Sequence, residues 1–174
     1  MDLIHEIFEL IDMRSFSNLW FWIVLAVTWS TVSHWVLGVP WDMVLRARRG
    51  DEQGIADLHD LIRINTNRIL YIASETGLLL SGFACFLLSS MFLLGFIYDN
   101  QFSQAVFLLF FPISMVAILS VGTAQAIKAQ DLRNEALCKR LHKHRVITQI
   151  IGMLAIFATA MWGMLQNMTA NVLG

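Results

Sequence analysis

The sequence predicts an all-α integral membrane protein. The expected form is a four-helix bundle with both termini outside the cytoplasm, an outer amphipathic N-terminal helix and helical cytoplasmic extensions. Three observations carry that expectation. Four apolar runs are long enough to cross a bilayer core, which needs ~20 residues. The 174-residue chain is 57% hydrophobic and 14% charged, with a mean hydropathy of +0.62, against roughly 45–50% and about 25% in soluble domains. A soluble chain of this length cannot bury so much apolar surface. Finally, eleven of the 12 Lys and Arg residues fall in two segments between the runs.

Taken in order, Met1–Met13 reads as a short amphipathic helix on the outer surface. Leu3, Ile4, Ile7, Phe8, Leu10 and Ile11 share one broad face, and Asp2, Glu6, Glu9 and Asp12 surround the other. These acids are the wrong sign for a cleaved secretory leader, so the N-terminus is expected to be retained. Span one covers about residues 19–40 and span two about 77–98, neither broken by a charge. Span three covers about 102–126 and span four about 146–164. All four belong to one membrane domain. The turn between spans two and three is only a few residues long, which makes those helices antiparallel neighbours.

The cytoplasmic segments are about 41–76 and 127–145. The first carries Arg46, Arg48, Arg49, Arg63 and Arg68, and the second Lys128, Arg133, Lys139, Arg140, Lys143 and Arg145. Basic flanks stay in the cytoplasm, so both termini are expected to be periplasmic. From Asp51 the chain reads as a helix that runs straight into span two. Span three is expected to continue past Ala126 through Gln130, Asp131, Leu132, Arg133 and Leu137. These two arms either pair with each other, the preferred expectation, or offer a groove to a partner. Trp20, Trp22, Tyr98 and Trp162 mark one membrane interface, and Trp35, Trp41 and Tyr71 the other. Trp29 falls at mid-membrane and is expected inside the bundle.

Small residues form two stripes. Ala73, Gly77, Ser81, Cys85 and Ser89 recur every fourth residue on span two, and Gly152, Ala155, Thr159 and Gly163 share a face of span four. Close approach through small residues is a main packing device in lipid. A step of four drifts around a 3.6-residue helix, so the span-two stripe predicts a right-handed crossing or two neighbours in succession. If exposed, it is instead a docking face.

Candidates for chemistry are sparse. A polar layer near the cytoplasmic end draws on Ser30, Thr31, Ser33, His34, Ser74, Glu75, Thr76, Ser120, Thr123, Gln125, Thr148 and Gln149, while the outer half of spans two to four is chiefly apolar. Polar groups in lipid must be paired, so this layer is expected to face inward, as a hydrogen-bond network or a cavity floor. His34 and Glu75 are candidates for a proton or ligand site, with Arg68 or Arg145 as alternative partners of Glu75. A b-type haem is the other alternative, with His34 and either His142 or His144 as axial ligands. The two latter residues lie in a run that reads as a solvated basic edge. His5 and His59 are isolated, Cys85 and Cys138 fall in separate segments, and no metal-ligand spacing, phosphate loop or nucleophile motif occurs. The chain is therefore read as non-enzymatic, with neither metal nor cofactor. Bulk charge of -1 argues against nucleic acid as a ligand.

The stretch Phe8-Glu9-Leu10-Ile11-Asp12-Met13-Arg14-Ser15-Phe16-Ser17-Asn18-Leu19-Trp20, with His34-Trp35-Val36-Leu37-Gly38-Val39-Pro40, resembles small membrane proteins of alphaproteobacteria. The likeness is to the Rhodobacter and Roseobacter group, many of whose members carry the label "component of SufBCD complex", and it covers the first third of the chain best. The resemblance implies a bacterial inner membrane and a link to iron–sulfur cluster assembly. Because the chain has no nucleotide-binding loop, that link takes the form of recruitment by the cytoplasmic arms. The expected role is an accessory, assembly or scaffolding subunit that works with a membrane or cytoplasmic protein partner or as a homo-oligomer.

Overall fold

The computed structural model describes Phe16 and residues 19–172, with backbone alone at 169–172. The expected amphipathic helix at Met1–Met13 lies outside the described residues. The described residues are all-α apart from one hairpin: α1 (Leu19–His34), β1 (Trp35–Val36), β2 (Val39–Pro40), α2 (Trp41–Arg48), α3 (Glu52–Phe92), a π-helical turn (Leu93–Ile97), α4 (Gln101–Ala129) and α5 (Asn134–Val172). Three helical stretches are long and apolar enough to cross a membrane: Glu52–Ile97, Gln101–Ala129 and Asn134–Met168. The fourth apolar helix, α1, has only 16 residues, about 24 Å at 1.5 Å per residue.

Span one therefore ends earlier than residues 19–40 suggest. Leu37 and Gly38 both take positive φ, 52° and 72°, as a two-residue hairpin turn requires. Val36 pairs with Val39 across it. Asn65 Nδ2 donates to Gly38 O at 3.1 Å, tying the hairpin to α3. A Cβ on Gly38 would lie 2.9 Å from that amide nitrogen.

The arm expected beyond span three is also corrected. α4 stops at Ala129, and Leu137 belongs to α5. Asp131 and Asn134 hold positive φ of 42° and 49°, a conformation that Asp and Asn tolerate best among non-glycine residues and that ends a right-handed helix. By contrast, α3 does run unbroken from Glu52 through the apolar stretch.

Two cores result. At the basic end, the hairpin, α2, and the adjoining ends of α3, α4 and α5 bury Val39, Val44, Leu58, Ala124 and Leu141 together. Within the apolar half, Leu25 and Trp29 of α1 meet Val116 of α4 and Ala155 of α5. No residue of α3 belongs to that second core. The fully buried residues within α3 are Gly54, Leu58, Ile62 and Thr66, all at the basic end.

At the opposite end, the π turn re-aims α3 into α4. Tyr98 N–H reaches Leu93 O at 3.3 Å, the i→i+5 bond of a π-bulge. Gly95 permits the contact, since a Cβ there would stand 2.9 Å from Gln104 N. Gln104, 1% exposed, donates to Gly95 O at 2.9 Å and Asp99 Oδ1 at 3.0 Å, and accepts from Trp162 Nε1 at 2.9 Å. One amide joins three helices in a half of the molecule that reads as apolar.

Candidate functional site

The polar groups of the basic end gather around two neighbouring cavities rather than in one layer across the bundle. The larger, about 620 Å³, lies among α3, the end of α4 and the start of α5. The smaller, about 400 Å³, lies among α2, α3 and α5. His59 and Asn134 line both. The Asn134 backbone N–H donates to His59 Nε2 at 3.2 Å, and the Asn134 Oδ1 stands 3.2 Å from the same nitrogen. The first N–H groups of a helix lack intrahelical partners, and His59 supplies one to α5 from 75 residues away in the chain.

In the larger cavity, Arg63 pairs with Asp60 at 3.1 Å and Arg133 with Asp131 at 2.9 Å. Thr66 is 4% exposed, and its hydroxyl has no hydrogen-bond partner among the described residues. The smaller cavity includes the buried Cys138, whose thiol is pushed up by desolvation despite nearby Arg48. A raised thiol is a poor nucleophile at neutral pH. Among the described residues, no group of three or more His, Cys, Asp or Glu side chains is placed to hold a metal ion.

A comparison of the chain with protein-family models, curated proteins and solved structures finds no match.

The ionisable residues singled out from the sequence are dispersed. His34 is exposed at the end of α1, its ring edge-on to Trp35 with centroids 6.1 Å apart. Glu75 is exposed on α3, and no ion pair or hydrogen bond joins it to His34, Arg68 or Arg145. His142 is exposed and lies against Trp41, centroids 5.8 Å apart. Trp41 is therefore not a headgroup anchor. It is 8% exposed, and Arg145 covers its face at 4.3 Å, a cation–π contact.

His144 is likewise not part of a solvated edge. It is 4% exposed, with Nδ1 3.0 Å from Thr123 Oγ1. It lies two residues before the apolar run of α5. Burial, with Arg140 adding repulsion, pushes its pKa down to about 4. Neither cavity includes His34 or His144, so the histidine pairs considered for haem line no common space there.

Of the expected inward layer, Thr123 and Thr148 are buried, whereas Ser30, Thr31, Ser74, Glu75, Thr76 and Gln125 are exposed. Ser74 and Thr76 satisfy their hydroxyls on their own helix, at Tyr71 O and Ile72 O. Intrahelical bonding removes the demand for an interior partner.

The α5 stripe of Gly152, Ala155, Thr159 and Gly163 is buried. A Cβ on Gly152 would meet Trp29 Cε3 at 2.7 Å, and one on Gly163 would meet Phe16 at 3.1 Å and Trp22 at 3.3 Å. On α3, Gly77 is half-buried with nothing within 4 Å of its Cβ position, and Ser81, Cys85 and Ser89 are exposed. The better-covered positions along this part of α3 are Ala73, Gly77, Ala84, Leu88, Ser90 and Met91, so the stripe drifts outward after Gly77, as a step of four on a 3.6-residue helix does.

Residues that sequence reasoning missed are Thr66, Asn134 and Gln104, together with the role of His59. Gln104 had a signal, as an amide set inside the start of an apolar run. Thr66 and His59 had none, because their significance comes from helices distant in sequence.

Proposed function

We propose that this chain is a non-catalytic, four-span protein of a bacterial inner membrane, with both termini periplasmic. In this reading it serves as an accessory, assembly or scaffolding subunit. The observation that carries the reading is the open face of α3: none of its most apolar 18-residue window is buried, against 17% and 28% for α4 and α5. Such a helix, with Ser81, Cys85 and Ser89 on its open side, suits a further membrane helix, from a second copy or another subunit. The short α1 is held against α5 by Trp29 and supplies the fourth span, with the hairpin and α2 closing the bundle on the cytoplasmic side.

The orientation follows from the eleven basic residues of the two cytoplasmic segments. Reporter fusions test it: alkaline phosphatase is expected to be active after Asn100 and after the C-terminus, and inactive after Arg49 or Lys143. The reverse pattern overturns it. Extraction from native membranes in mild detergent tests the subunit role. A complex well above the 19.8 kDa chain is expected, and a single copy at native abundance counts against the role. The resemblance of the first third to proteins labelled for the SufBCD complex supplies one named partner to seek. Cross-linking in membranes followed by detection of those proteins is the direct test.

A further inference from the structure

Trp162 Nε1 donates to Gln104 Oε1 at 2.9 Å, which sets the height of α5 against the rest of the molecule. Gln104 stands one helical turn from the polar turn at Asp99 and Asn100, since its N–H bonds Asn100 O. Met164 and Met168 lie about 3 and 9 Å beyond Trp162 at 1.5 Å per residue, which carries them to the level of that turn and past it. There the sequence of α5 becomes polar, at Gln166 and Asn167. Three methionines nevertheless line its open side: Met161, Met164 and Met168 are 43%, 53% and 58% exposed. Spaced three and four residues apart, they fall within an arc of about 60° on a 3.6-residue helix. Nearer the basic end the exposed face of α5 is mixed, with Ile150, Met153, Leu154 and Phe157. Lipid contact accounts for that mixture and does not select one residue type.

What the three share is a thioether. Methionine has three rotatable bonds and a polarizable sulfur, and residues three or four apart on a helix have Cβ atoms about 5–6 Å apart. Met164, in the middle, is therefore within reach of Met161 on one side and Met168 on the other. Thioethers are soft ligands that select Cu(I), whereas carboxylates and carbonyls suit harder ions. No His, Cys, Asp or Glu follows Arg145 in the sequence, so this part of α5 offers a harder ion no side-chain ligand of those kinds. We infer that Met161, Met164 and Met168 bind one Cu(I) ion through their sulfurs. Water, a hard oxygen ligand, competes poorly with sulfur for a soft ion, so donors on an open helix face can hold it. The inference is independent of the subunit reading, since one helix supplies all three sulfurs. In the proposed orientation the site faces the periplasm.

The test uses the full chain in detergent, carrying Cys85→Ser and Cys138→Ala because thiolates also take Cu(I). Cu(I) is supplied without oxygen as its acetonitrile complex, in competition with a chromogenic chelator. Ag(I), a soft ion stable in air, is counted by native mass spectrometry. One ion per chain is expected, undisturbed by excess Zn(II), with sulfur neighbours in the X-ray absorption spectrum. Met164→Leu should weaken binding by at least about tenfold, since groups that merely support a metal ligand have effects of that order. Met161→Leu and Met168→Leu should each weaken it several-fold. Leucine keeps the volume at each site, so the melting temperature without metal should hold. Met153→Leu, at a methionine 63% exposed nearer the basic end of the same helix, should leave binding unchanged. No ion bound by the thiol-free chain, unchanged affinity in all three site variants, or a spectrum with only nitrogen and oxygen neighbours overturns the inference.

Discussion

Two stripes of small residues run along α3 and α5 with nearly the same spacing, and the fold treats them oppositely. Gly152, Ala155, Thr159 and Gly163 on α5 lie buried, and the glycines at either end receive the rings of Trp29, Trp22 and Phe16. Ser81, Cys85 and Ser89 on α3 are exposed, and Gly77 beside them has open space where a side chain would go. The difference lies in the neighbour. A small residue makes room, but only a large residue delivered at the right height turns that room into contact area. α1 delivers the rings of Trp22 and Trp29 to α5, and Phe16, just before it, delivers a third. None of the described residues delivers any to the exposed side of α3.

The comparison can be broken most severely from the aromatic side. Trp29→Ala should destabilise the fold by about 3 kcal/mol or more, the range for an emptied aromatic site, as measured by denaturant titration in micelles. An equally large loss from an alanine substitution of Leu79, which is 74% exposed on α3, would erase the contrast.

Next in size is a pair of glycine substitutions expected to differ in sign. Gly152→Ala places a methyl 2.7 Å from the Trp29 ring and should cost about 1–3 kcal/mol through overpacking. Gly77→Ala meets nothing and should be neutral or stabilising by up to ~1 kcal/mol, the gain in helix propensity. A loss at Gly77 that appears in native membranes but not in purified single chains would indicate that the α3 side is occupied there.

A third expectation concerns how α3 is held at all. Its apolar half lacks a buried core, and the Gln104 junction fixes its far end. Gln104→Leu removes three hydrogen bonds and leaves the Trp162 N–H without its acceptor, so a loss of about 1–3 kcal/mol is expected. Hydrogen exchange should rise most around the π turn if the junction anchors the helix.

A last effect is pH-dependent and centres on the buried face of α5. That face continues from Gly152 down through Thr148 to His144. Because burial lowers the His144 pKa from 6.5 to about 4, the unfolded chain binds a proton in that window that the folded chain does not. The contribution from keeping this group neutral is thus complete above about pH 6.5 and is lost as pH falls toward 4. His144→Asn, which retains a polar partner for Thr123, should flatten stability over that window. An unchanged pH profile would mean that another group titrates.

The helical class, the long apolar stretches and the continuity of α3 from Glu52 onward could all be read directly from residues. Each depends on local composition and periodicity, which survive without knowledge of neighbours. The helix ends were harder. Span one closes at His34 because Leu37 and Gly38 turn, and α4 closes at Ala129 because Asp131 goes left-handed. Hydropathy averages over such single-residue decisions.

Side-chain environments were least accessible. His144 and His142 stand two residues apart in one basic run, yet a rotation of 200° around α5 buries one against Thr123 and leaves the other exposed on Trp41. Composition by itself determined that this chain is helical and has stretches apolar enough to enter a membrane, since those properties are sums over residues. Only the tertiary structure decided which small stripe is filled, which histidine is buried and where Thr66 meets a cavity. Those properties depend on what a second helix brings to each face, and the sequence of one helix does not contain it.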